Sequence, residues 1–344
     1  MKNTPTKIII SRTDNIGDVV LTLPLAALLK QKFPNVHITF LTRDYARAIV
    51  ENCPDVDAFL SWNTLSTASK KEAKNILQQG RYDTIVHVFP QKPIAKLAKR
   101  ANIKNRIGTT RRWYHFLTCN QRVRFSRAQS QRHEAQLNLH LLAPLGIPEN
   151  YDISELTPLI RFTPQQLTPE LQRYLHPQKF NLIIHPLSNG HGREWPLSYF
   201  EALIKTLPLE KFHLIISGSQ KEKIPLQPLL QACPQLTDVI GQLNLNQLLQ
   251  LMAHCDGLIA NSTGPLHMAA GTGINVLGLY PPASGMNPQR WQPLGKQARY
   301  LVAKENCALV CNNNNCSCIR DISVQQVKKI LLGWHKNATS YASI

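Results

Sequence analysis

Acidic residues and long apolar runs are both scarce in this chain. It has 21 Asp and Glu against 39 Lys and Arg in 344 residues, which gives a formal net charge of +18. The apolar stretch from Val19 to Leu29 is interrupted by Thr22 and Pro24 and is shorter than the roughly 18 residues that a membrane-spanning helix needs. Too few apolar residues follow Lys7 to form the hydrophobic region of a signal peptide. We therefore expect no transmembrane segment and a cytoplasmic protein.

Familiar metal and repeat patterns are also missing. The chain has eight cysteines, and four of them lie close together near the end without a C-x2-C pair: Cys307, Cys311, Cys316 and Cys318. Four thiolates can bind Zn²⁺, but this spacing favours thiols without metal. No internal repeat of solenoid period is visible. Apolar residues make up 43% and charged residues 17% of the chain, as in ordinary globular proteins.

The positive charge is concentrated in one region. Residues 92–132 contain twelve Lys and Arg, and no Asp or Glu occurs from there until Glu134. Such a region is typical of a site for an anionic partner, which can be a nucleic acid, a phosphorylated substrate or an anionic membrane. A solvated basic surface is the alternative.

Short β-branched runs alternate with segments of helical apolar spacing, which predicts an α/β fold with parallel sheets covered by helices on both faces. The Pro-containing stretch from Ile160 to Gln178 predicts the connection between two doubly wound domains, residues 1–165 and 175–344, with a last helix that can pack back on the first domain. Ligands of such sheets bind at the carboxyl ends of the strands, and a cleft between facing domains is the default site. The predicted strands are Lys7 to Ser11, Val36 to Leu41, Thr84 to Val88, Asn181 to His185, His213 to Ser217, Gly257 to Ala260 and Asn275 to Leu279.

The first loop that can carry chemistry follows the first predicted strand and contains two carboxylates, Asp14 and Asp18. Asp18 stands where a helix is predicted to begin at Val19 and run towards Lys32. It can be the N-cap of that helix, which stabilises by roughly 0.5–2 kcal/mol relative to alanine, or a base. Asp14 is interpreted as a residue of an Asx-turn.

Two further loops are candidate anion sites. The loop His185 to Pro196 carries Ser188, Asn189 and Arg193 among glycines, so it combines accessible N–H groups with a guanidinium suited to phosphate. It matches neither the P-loop nor the dinucleotide-binding glycine pattern.

The other loop, "NSTGPLHMAAGTG" from Asn261 to Gly273, predicts a helix start. A helix N-terminus of this kind binds phosphate through its free N–H groups and its dipole. Its candidate residues are Ser262, Thr263, Gly264 and His267, although a single helical histidine is often only a packed residue.

A further carboxylate pair, Asp55 and Asp57, forms a D-x-D sequence. Such a pair can hold a divalent metal against a nucleotide diphosphate. A turn before a short strand explains it better.

Together these loops resemble those of the ADP-heptose:lipopolysaccharide heptosyltransferases of glycosyltransferase family nine. The shared motifs are "NIGDVVLTLP", an H-P-x(n)-[KR]-x-W-P loop and "NSTGPLHMAAGTG", and the resemblance extends over nearly the whole chain. It implies the GT-B fold of two facing Rossmann-like domains with a central cleft. It also implies an inverting transfer of heptose without metal or cofactor, from ADP-heptose to the Kdo and inner-core region of lipopolysaccharide.

The resemblance also implies residue roles. Asp18 matches the catalytic base, Arg193 matches a basic residue that holds the diphosphate, and Thr263, Gly264 and His267 match the residues that bind ADP. Ser262 stands where many relatives have Asp, which leaves the donor sugar open, and Arg193 stands where many have Lys.

The basic region lies in the predicted acceptor domain, and the acceptor of the family is anionic Kdo-lipid A at the inner face of the inner membrane. Its candidate acceptor residues are Arg111, Arg112, Arg122 and Arg124. We therefore expect peripheral contact with an anionic membrane surface, to which each cation contributes about 1 kcal/mol.

Two alternatives remain at this point. One is a GT-B transferase or epimerase that uses another nucleotide sugar. The other is a nucleic-acid-binding protein, which the charge and the Arg111-Arg112-Trp113-Tyr114 sequence would suit and which would need none of the three loops. The heptosyltransferase hypothesis is preferred, and it predicts no nucleic-acid partner.

Overall fold

A computed structural model describes residues 4–128, 130–163, 166–188, 190, 193–283, 285–303 and 318–341, with side chains as far as residue 335. The chain divides into two compact units, Met1–Thr163 and Pro164–Ile344. The division falls inside the connection predicted from the proline-containing stretch.

The described part of the first unit contains one sheet of six parallel strands in the order β3-β2-β1-β4-β5-β6. The strands are β1 (Lys7–Ser11), β2 (His37–Thr42), β3 (Ala58–Ser61), β4 (Thr84–His87), β5 (Asn105–Thr109) and β6 (Gln121–Val123). The helices are α1 (Ile16–Val20), α2 (Leu23–Lys32), α3 (Arg47–Glu51), α4 (Trp62–Thr67), α5 (Lys70–Gln79), α6 (Lys92–Arg100), α7 (Trp113–Thr118), α8 (Glu134–Leu139) and α9 (Ile153–Leu156).

The second unit repeats this topology. Its described strands form a parallel sheet in the order β12-β11-β10-β7-β8-β9, so each unit has the 3-2-1-4-5-6 order of dinucleotide-binding folds. The strands are β7 (Phe180–His185), β8 (Phe212–Ile216), β9 (Thr237–Asp238), β10 (Gly257–Asn261), β11 (Asn275–Tyr280) and β12 (Ala298–Val302). The helices are α10 (Pro169–Gln172), α11 (Leu197–Thr206), α12 (Lys223–Ala232), α13 (Leu245–Ala253), α14 (Gly264–Thr272), α15 (Pro288–Trp291) and α16 (Val324–Tyr341).

Each sheet forms the centre of its unit's core. Ile8, Ile9 and Ile10 of β1 are fully buried, as expected for a strand covered by helices on both faces. In the second unit Trp195 and Phe212 belong to one buried cluster with the residues around β7. α16 packs within this unit, on α11 and through Trp334 on Phe180.

The α/β prediction is confirmed, and the seven predicted strands are all present to within one residue at either end. β3 is the short strand expected after the D-x-D sequence, and the four remaining strands were not predicted from the sequence. They are short or partly exposed and lack a continuous β-branched run, so their strand conformation depends on the neighbouring strand to which they bond. These strands are β5, β6, β9 and β12.

Candidate active site

The three candidate loops lie at equivalent points of the two sheets. The strand order reverses beside the first strand of each unit, so that β1 lies between β2 and β4 and β7 lies between β8 and β10. Ligands of open α/β sheets bind at the carboxyl ends of the strands at this point. The loops follow β1, β7 and β10, so the fold brings each of them to the switch point of its own unit.

Asp18 does not cap a helix that begins at Val19, and that prediction is wrong. α1 begins at Ile16, and Asn15 occupies the N-cap position with extended backbone (φ −79°, ψ 162°). Asp18 is therefore the third residue of α1, and its backbone carbonyl accepts a hydrogen bond of 2.8 Å from the Thr22 hydroxyl. The Asp18 carboxylate accepts a hydrogen bond of 3.4 Å from the Asn15 side-chain amide and has a further, charged partner.

That partner is Arg12, a buried residue that directly follows β1. The Arg12 guanidinium donates a hydrogen bond to Asp18 Oδ1. It donates two more to the carboxylate oxygens of Asp14, at 2.8 and 2.9 Å. Its Nη1 atom donates to Glu134 Oε1 at 2.9 Å and to Asn138 Oδ1 at 3.1 Å. One cation therefore holds three carboxylates at the end of β1.

A second arginine joins this cluster from the basic region. Arg127 donates to Glu134 Oε1 at 3.1 Å and to Asn138 Oδ1 at 2.8 Å. The five ionisable members are two arginines and three carboxylates, Arg12, Arg127, Asp14, Asp18 and Glu134. With all of them ionised, the cluster carries one excess negative charge. A buried site with such an excess favours the uptake of one proton.

Asp18 is the carboxylate of this cluster that is best suited to take up the proton. Its side chain is buried, with 8% of the residue exposed. Burial raises the pKa of Asp18 from 3.8 to about 6; Arg12 opposes this shift, while Asp14 and Glu134 add to it. A carboxylate with a pKa near 6 is ionised at neutral pH and is a stronger base than an ordinary aspartate.

His87, the last residue of β4, pairs with Ser11 of β1 in the sheet and is the histidine at this switch point. Burial, with smaller contributions from His115 and Arg106, lowers the pKa of His87 to about 3. A group this weakly basic is a poorer general base at neutral pH than Asp18.

The four arginines expected to bind the acceptor lie towards the β6 edge of this sheet. They are exposed and flank or belong to β5 and β6: Arg111, Arg112, Arg122 and Arg124. With neighbouring strands about 4.8 Å apart, β5 is about 10 Å and β6 about 14 Å from β1. In the basic region it is Arg127, not singled out as a site residue, that reaches the Asp18 cluster.

The two candidate loops of the second unit are joined by Asn261. Its Nδ2 donates to the Pro186 carbonyl at 2.6 Å, and its Oδ1 accepts from the Trp195 backbone N–H at 2.9 Å. Trp195 is itself held by a hydrogen bond from its indole to the Ile322 carbonyl, 2.8 Å long. The loops after β7 and β10 are therefore fixed relative to each other.

The loop after β7 contains its own carboxylate. Glu194 Oε1 accepts hydrogen bonds from both the backbone N–H and the hydroxyl of Ser188, at 2.6 and 2.7 Å. The backbone N–H and the hydroxyl of Ser188 thus connect the two ends of the loop. Arg193 beside Glu194 is partly buried. Asn189, which was also expected to bind the anion, lies outside the described residues.

The loop after β10 ends in the predicted helix start. α14 begins at Gly264, and Thr263 is its N-cap residue without a side-chain cap bond. Thr263 Oγ1 is a buried atom that has no hydrogen-bond partner in the described part of the chain. His267 is buried one turn into the helix. An uncapped helix start of nine residues is a favourable place for an anion.

Ser262, which stands where many relatives of the resembled family have Asp, is hydrogen-bonded to the hydroxyl of Tyr280. Burial raises the pKa of Tyr280, which stays protonated and also donates to the Trp291 carbonyl. Ser262 therefore brings no negative charge to this loop.

The D-x-D pair serves structure. Asp57 accepts from the Ile38 backbone N–H at 2.6 Å and from Lys30 at 2.8 Å, and Asp55 pairs with Arg161 at 3.0 Å. Among the described residues no group of three or more His, Cys, Asp or Glu is placed to hold a metal ion. Cys318 is buried; the other three members of its cluster, Cys307, Cys311 and Cys316, lie outside the described residues.

The part of the chain that the structure describes contains no helix both long enough and apolar enough to span a membrane.

Sequence reasoning missed five residues of these sites: Arg12, Arg127, Glu134, Glu194 and Asn261. Only Arg12 had a local signal, because a charged residue directly after a fully apolar strand lies at the ligand-binding edge of the sheet. Glu194 is identified by its contact with Ser188 in the same loop. Arg127, Glu134 and Asn261 are identified by contacts across the fold.

Two Rossmann-like units with these loops have the architecture of the GT-B class. Residues 72–318 match the sequence model of glycosyltransferase family 9 (heptosyltransferase), and the chain belongs to this family. The match starts after the Asp18 loop.

Three known proteins illustrate the similarity. Lipopolysaccharide heptosyltransferase 3 of Escherichia coli is 24% identical over 77% of this chain and 80% of its own length. The crystal structure of a family 9 glycosyltransferase from Veillonella parvula has a TM-score of 0.78 at 19% identity, over 96% of this chain and 97% of that one. The E. coli ADP-heptose lipopolysaccharide heptosyltransferase II has a TM-score of 0.76 at 18% identity, over 97% and 99%. Membership of this family favours a transferase over a nucleic-acid-binding protein.

Proposed function

We propose that this protein is an inverting heptosyltransferase that moves heptose from ADP-heptose to the Kdo and inner-core region of lipopolysaccharide, with Asp18 as its general base. The observation that carries the proposal is the Asp18 carboxylate at the end of β1, buried, held by Arg12 and with its pKa raised to about 6. The names of the relatives support the donor and acceptor classes.

In this reaction an acceptor hydroxyl attacks C1 of the donor sugar. A bond forms between the acceptor oxygen and C1, the bond between C1 and the diphosphate oxygen breaks, and ADP leaves with the electron pair. The hydroxyl proton passes to Asp18 and then to solvent. A positioned base of this kind contributes roughly 10²–10⁴ to the rate.

The leaving diphosphate is stabilised by groups of the second unit. Arg193 supplies a guanidinium suited to two phosphate oxygens. The uncapped start of α14, with Thr263, Gly264 and His267, supplies N–H groups and a positive helix end. With these cationic and N–H donors on the developing charge, the transfer proceeds without a metal ion.

The acceptor is anionic, and the basic first unit suits it. Exposed Arg111, Arg112, Arg122 and Arg124 are available to its phosphate and carboxylate groups. A lipid acceptor also implies that the protein works as a peripheral protein at the inner face of the inner membrane.

A transfer assay tests the proposal. We expect transfer from ADP-heptose to Kdo-lipid A, tried both bare and phosphorylated on Kdo, to continue in the presence of a chelator. Asp18→Asn is expected to lower the rate of transfer by roughly 10²–10⁴, whereas the matched change Asp14→Asn in the same cluster retains it. Absence of transfer to either acceptor would refute the substrates, loss with chelator would refute metal independence, and full activity of Asp18→Asn would refute the base.

Ser262 favours one alternative, a GT-B transferase or epimerase with another nucleotide sugar, because a serine at this position offers the donor sugar no carboxylate. The same assay with a panel of ADP- and UDP-sugars separates the two. Turnover of another nucleotide sugar, with none of ADP-heptose, would favour the alternative.

A further inference from the structure

α7 carries its apolar side chains on the outside. Trp113, Phe116 and Leu117 are 64%, 57% and 64% exposed, whereas His115 and Thr118 of the same helix are buried. Three large apolar side chains within five residues form an exposed patch, which we call the α7 ridge. Isolated exposed apolar residues are normal, but grouped ones mark a surface that binds something.

The orientation of α7 is fixed by contacts between its buried residue His115 and strand β5. His115 Nδ1 accepts a hydrogen bond from the Thr109 backbone N–H at 3.0 Å. A Cβ atom at Gly108 would lie 2.5 Å from that same nitrogen, so the strand beneath the helix has a glycine where His115 needs the space. Rotating α7 to bury the ridge would remove His115 from this place. The exposure of Trp113, Phe116 and Leu117 is therefore a property of the fold.

Cations surround the ridge. The Lys92 ammonium lies 4.6 Å from the centre of the Trp113 ring, and the Arg122 guanidinium lies 4.9 Å from that of Phe116. Lys99 donates to the Leu117 carbonyl at 2.8 Å. Arg111 and Arg112, exposed, immediately precede the helix. The ridge lies within the stretch of sequence that has no acidic residue, so its surroundings are complementary to an anionic surface.

We propose that the α7 ridge docks this protein onto an anionic lipid bilayer, with Trp113, Phe116 and Leu117 entering the headgroup region and the surrounding cations contacting lipid phosphates. Aromatic and aliphatic side chains surrounded by Lys and Arg are the composition of interfacial membrane anchors. The proposal deepens the proposed function, since a lipid acceptor requires contact with a membrane. The exposure of the α7 ridge and the charge around it do not depend on catalysis.

Other occupants fit less well. A single-stranded nucleic acid would stack its bases on aromatic faces, but Lys92 and Arg122 lie over the faces of Trp113 and Phe116. A second copy of this chain would bring two basic regions together, and such like-charge contact is unfavourable. A bilayer uses the edges of the rings and the cations at once.

Vesicle binding tests the proposal directly. The full-length protein is expected to sediment with vesicles of equal parts phosphatidylethanolamine and phosphatidylglycerol, to ignore phosphatidylcholine vesicles, and to bind less as salt is added. Combining Trp113→Ser, Phe116→Ser and Leu117→Ser should weaken binding about tenfold or more. The control Ile224→Ser, which changes an 82% exposed apolar residue of the second unit, should bind as the unchanged protein does.

Contact is measured separately with lipids brominated on the acyl chains, which quench nearby tryptophan. We expect quenching of the unchanged protein, and loss of most of it in Trp113→Phe, which should still bind vesicles. Circular dichroism and thermal unfolding establish that the triple variant is folded.

Two measurements separate this proposal from the proposed function. Asp18→Asn should bind anionic vesicles normally, and the triple variant should retain transfer to a water-soluble acceptor that lacks lipid chains. The proposal is overturned if the unchanged protein does not bind anionic vesicles, or if Ile224→Ser and the triple variant bind equally. It is also overturned if the triple change removes self-association in solution and leaves vesicle binding intact.

Discussion

Replacing Asp18 by Asn is expected to make the protein more stable while it lowers activity. The structure raises the pKa of Asp18 from 3.8 to about 6, so the folded protein binds this proton more tightly than the unfolded chain does. One pKa unit corresponds to 1.36 kcal/mol, so ionised Asp18 costs about 3 kcal/mol of folding free energy at neutral pH. Asparagine resembles the protonated carboxyl and avoids this cost.

The pH dependence gives the sharper test. The favourable contribution of protonated Asp18 is complete below pH 3.8 and is lost as the pH rises through about 6. Asp18→Asn should therefore gain about 3 kcal/mol in the free energy of unfolding at pH 8 and nearly nothing below pH 4. Urea unfolding at both pH values measures this gain, and Asp44→Asn, which changes an exposed carboxylate, should show no comparable gain at either.

Transfer activity of the same variant should fall by roughly 10²–10⁴. A variant that is less stable than the unchanged protein at pH 8, or equally stabilised at pH 4 and pH 8, would contradict this prediction. In the first case Arg12 would dominate over burial at Asp18, and in the second the gain would have a cause other than ionisation.

Three further predictions follow from the same contacts. The rate of transfer at low acceptor concentration should rise with pH to a plateau with a midpoint near pH 6. Glu134→Gln should move the midpoint to lower pH, because it removes a negative charge that raises the pKa of Asp18. An unchanged midpoint would show that Glu134 has no influence on the base. Arg12→Ala should destabilise folding at pH 8 by about 3–5 kcal/mol, because it leaves buried carboxylates without their cation. Arg47→Ala should cost less than about 1 kcal/mol, because the pair of Arg47 with Glu51 is exposed. Chemical denaturation compares the two variants, and equal losses of stability would contradict the role of burial. Arg193→Ala should weaken ADP binding about tenfold or more in calorimetric titration. Ser188→Ala should change the affinity for ADP by less than about threefold, since the donors of Ser188 are occupied by Glu194. Arg299→Ala, at an exposed position of β12, is the control, and equal affinities in all three variants would remove Arg193 from the site.

The parts of the site that sequence reasoning predicted are those with local causes. β1 is a run of apolar β-branched residues, and α14 begins with a cap position, a glycine and a proline. Each of these features acts over a few residues, so it is visible in a short stretch of sequence. The placement of Asp18, Arg193 and Thr263 after strands also followed from the strand pattern.

Apart from Glu194, the parts that were missed depend on contacts between distant residues. Arg12 and Glu134 are 122 positions apart in the chain, and nothing near either residue indicates the other. The same limit explains the short strands β5 and β6, whose conformation comes from pairing with neighbours. The error at Asp18 was local. Helix α1 begins three residues before the predicted start, because the extended backbone of Asn15 supplies its cap position.

The position of Asp18 matters for the chemistry, because the influences on the pKa of Asp18 act in opposite directions. The first turn of a helix and the neighbouring Arg12 both favour the ionised form and would by themselves lower the pKa. Burial, Asp14 and Glu134 favour the protonated form and prevail. α1 has only five residues, so its dipole is weak, and Arg12 divides its charge among three carboxylates. A carboxylate that is held in place by a cation and yet remains basic is what the proposed proton transfer needs. Removing Glu134 should therefore cost basicity at Asp18 even though Glu134 is not its direct partner.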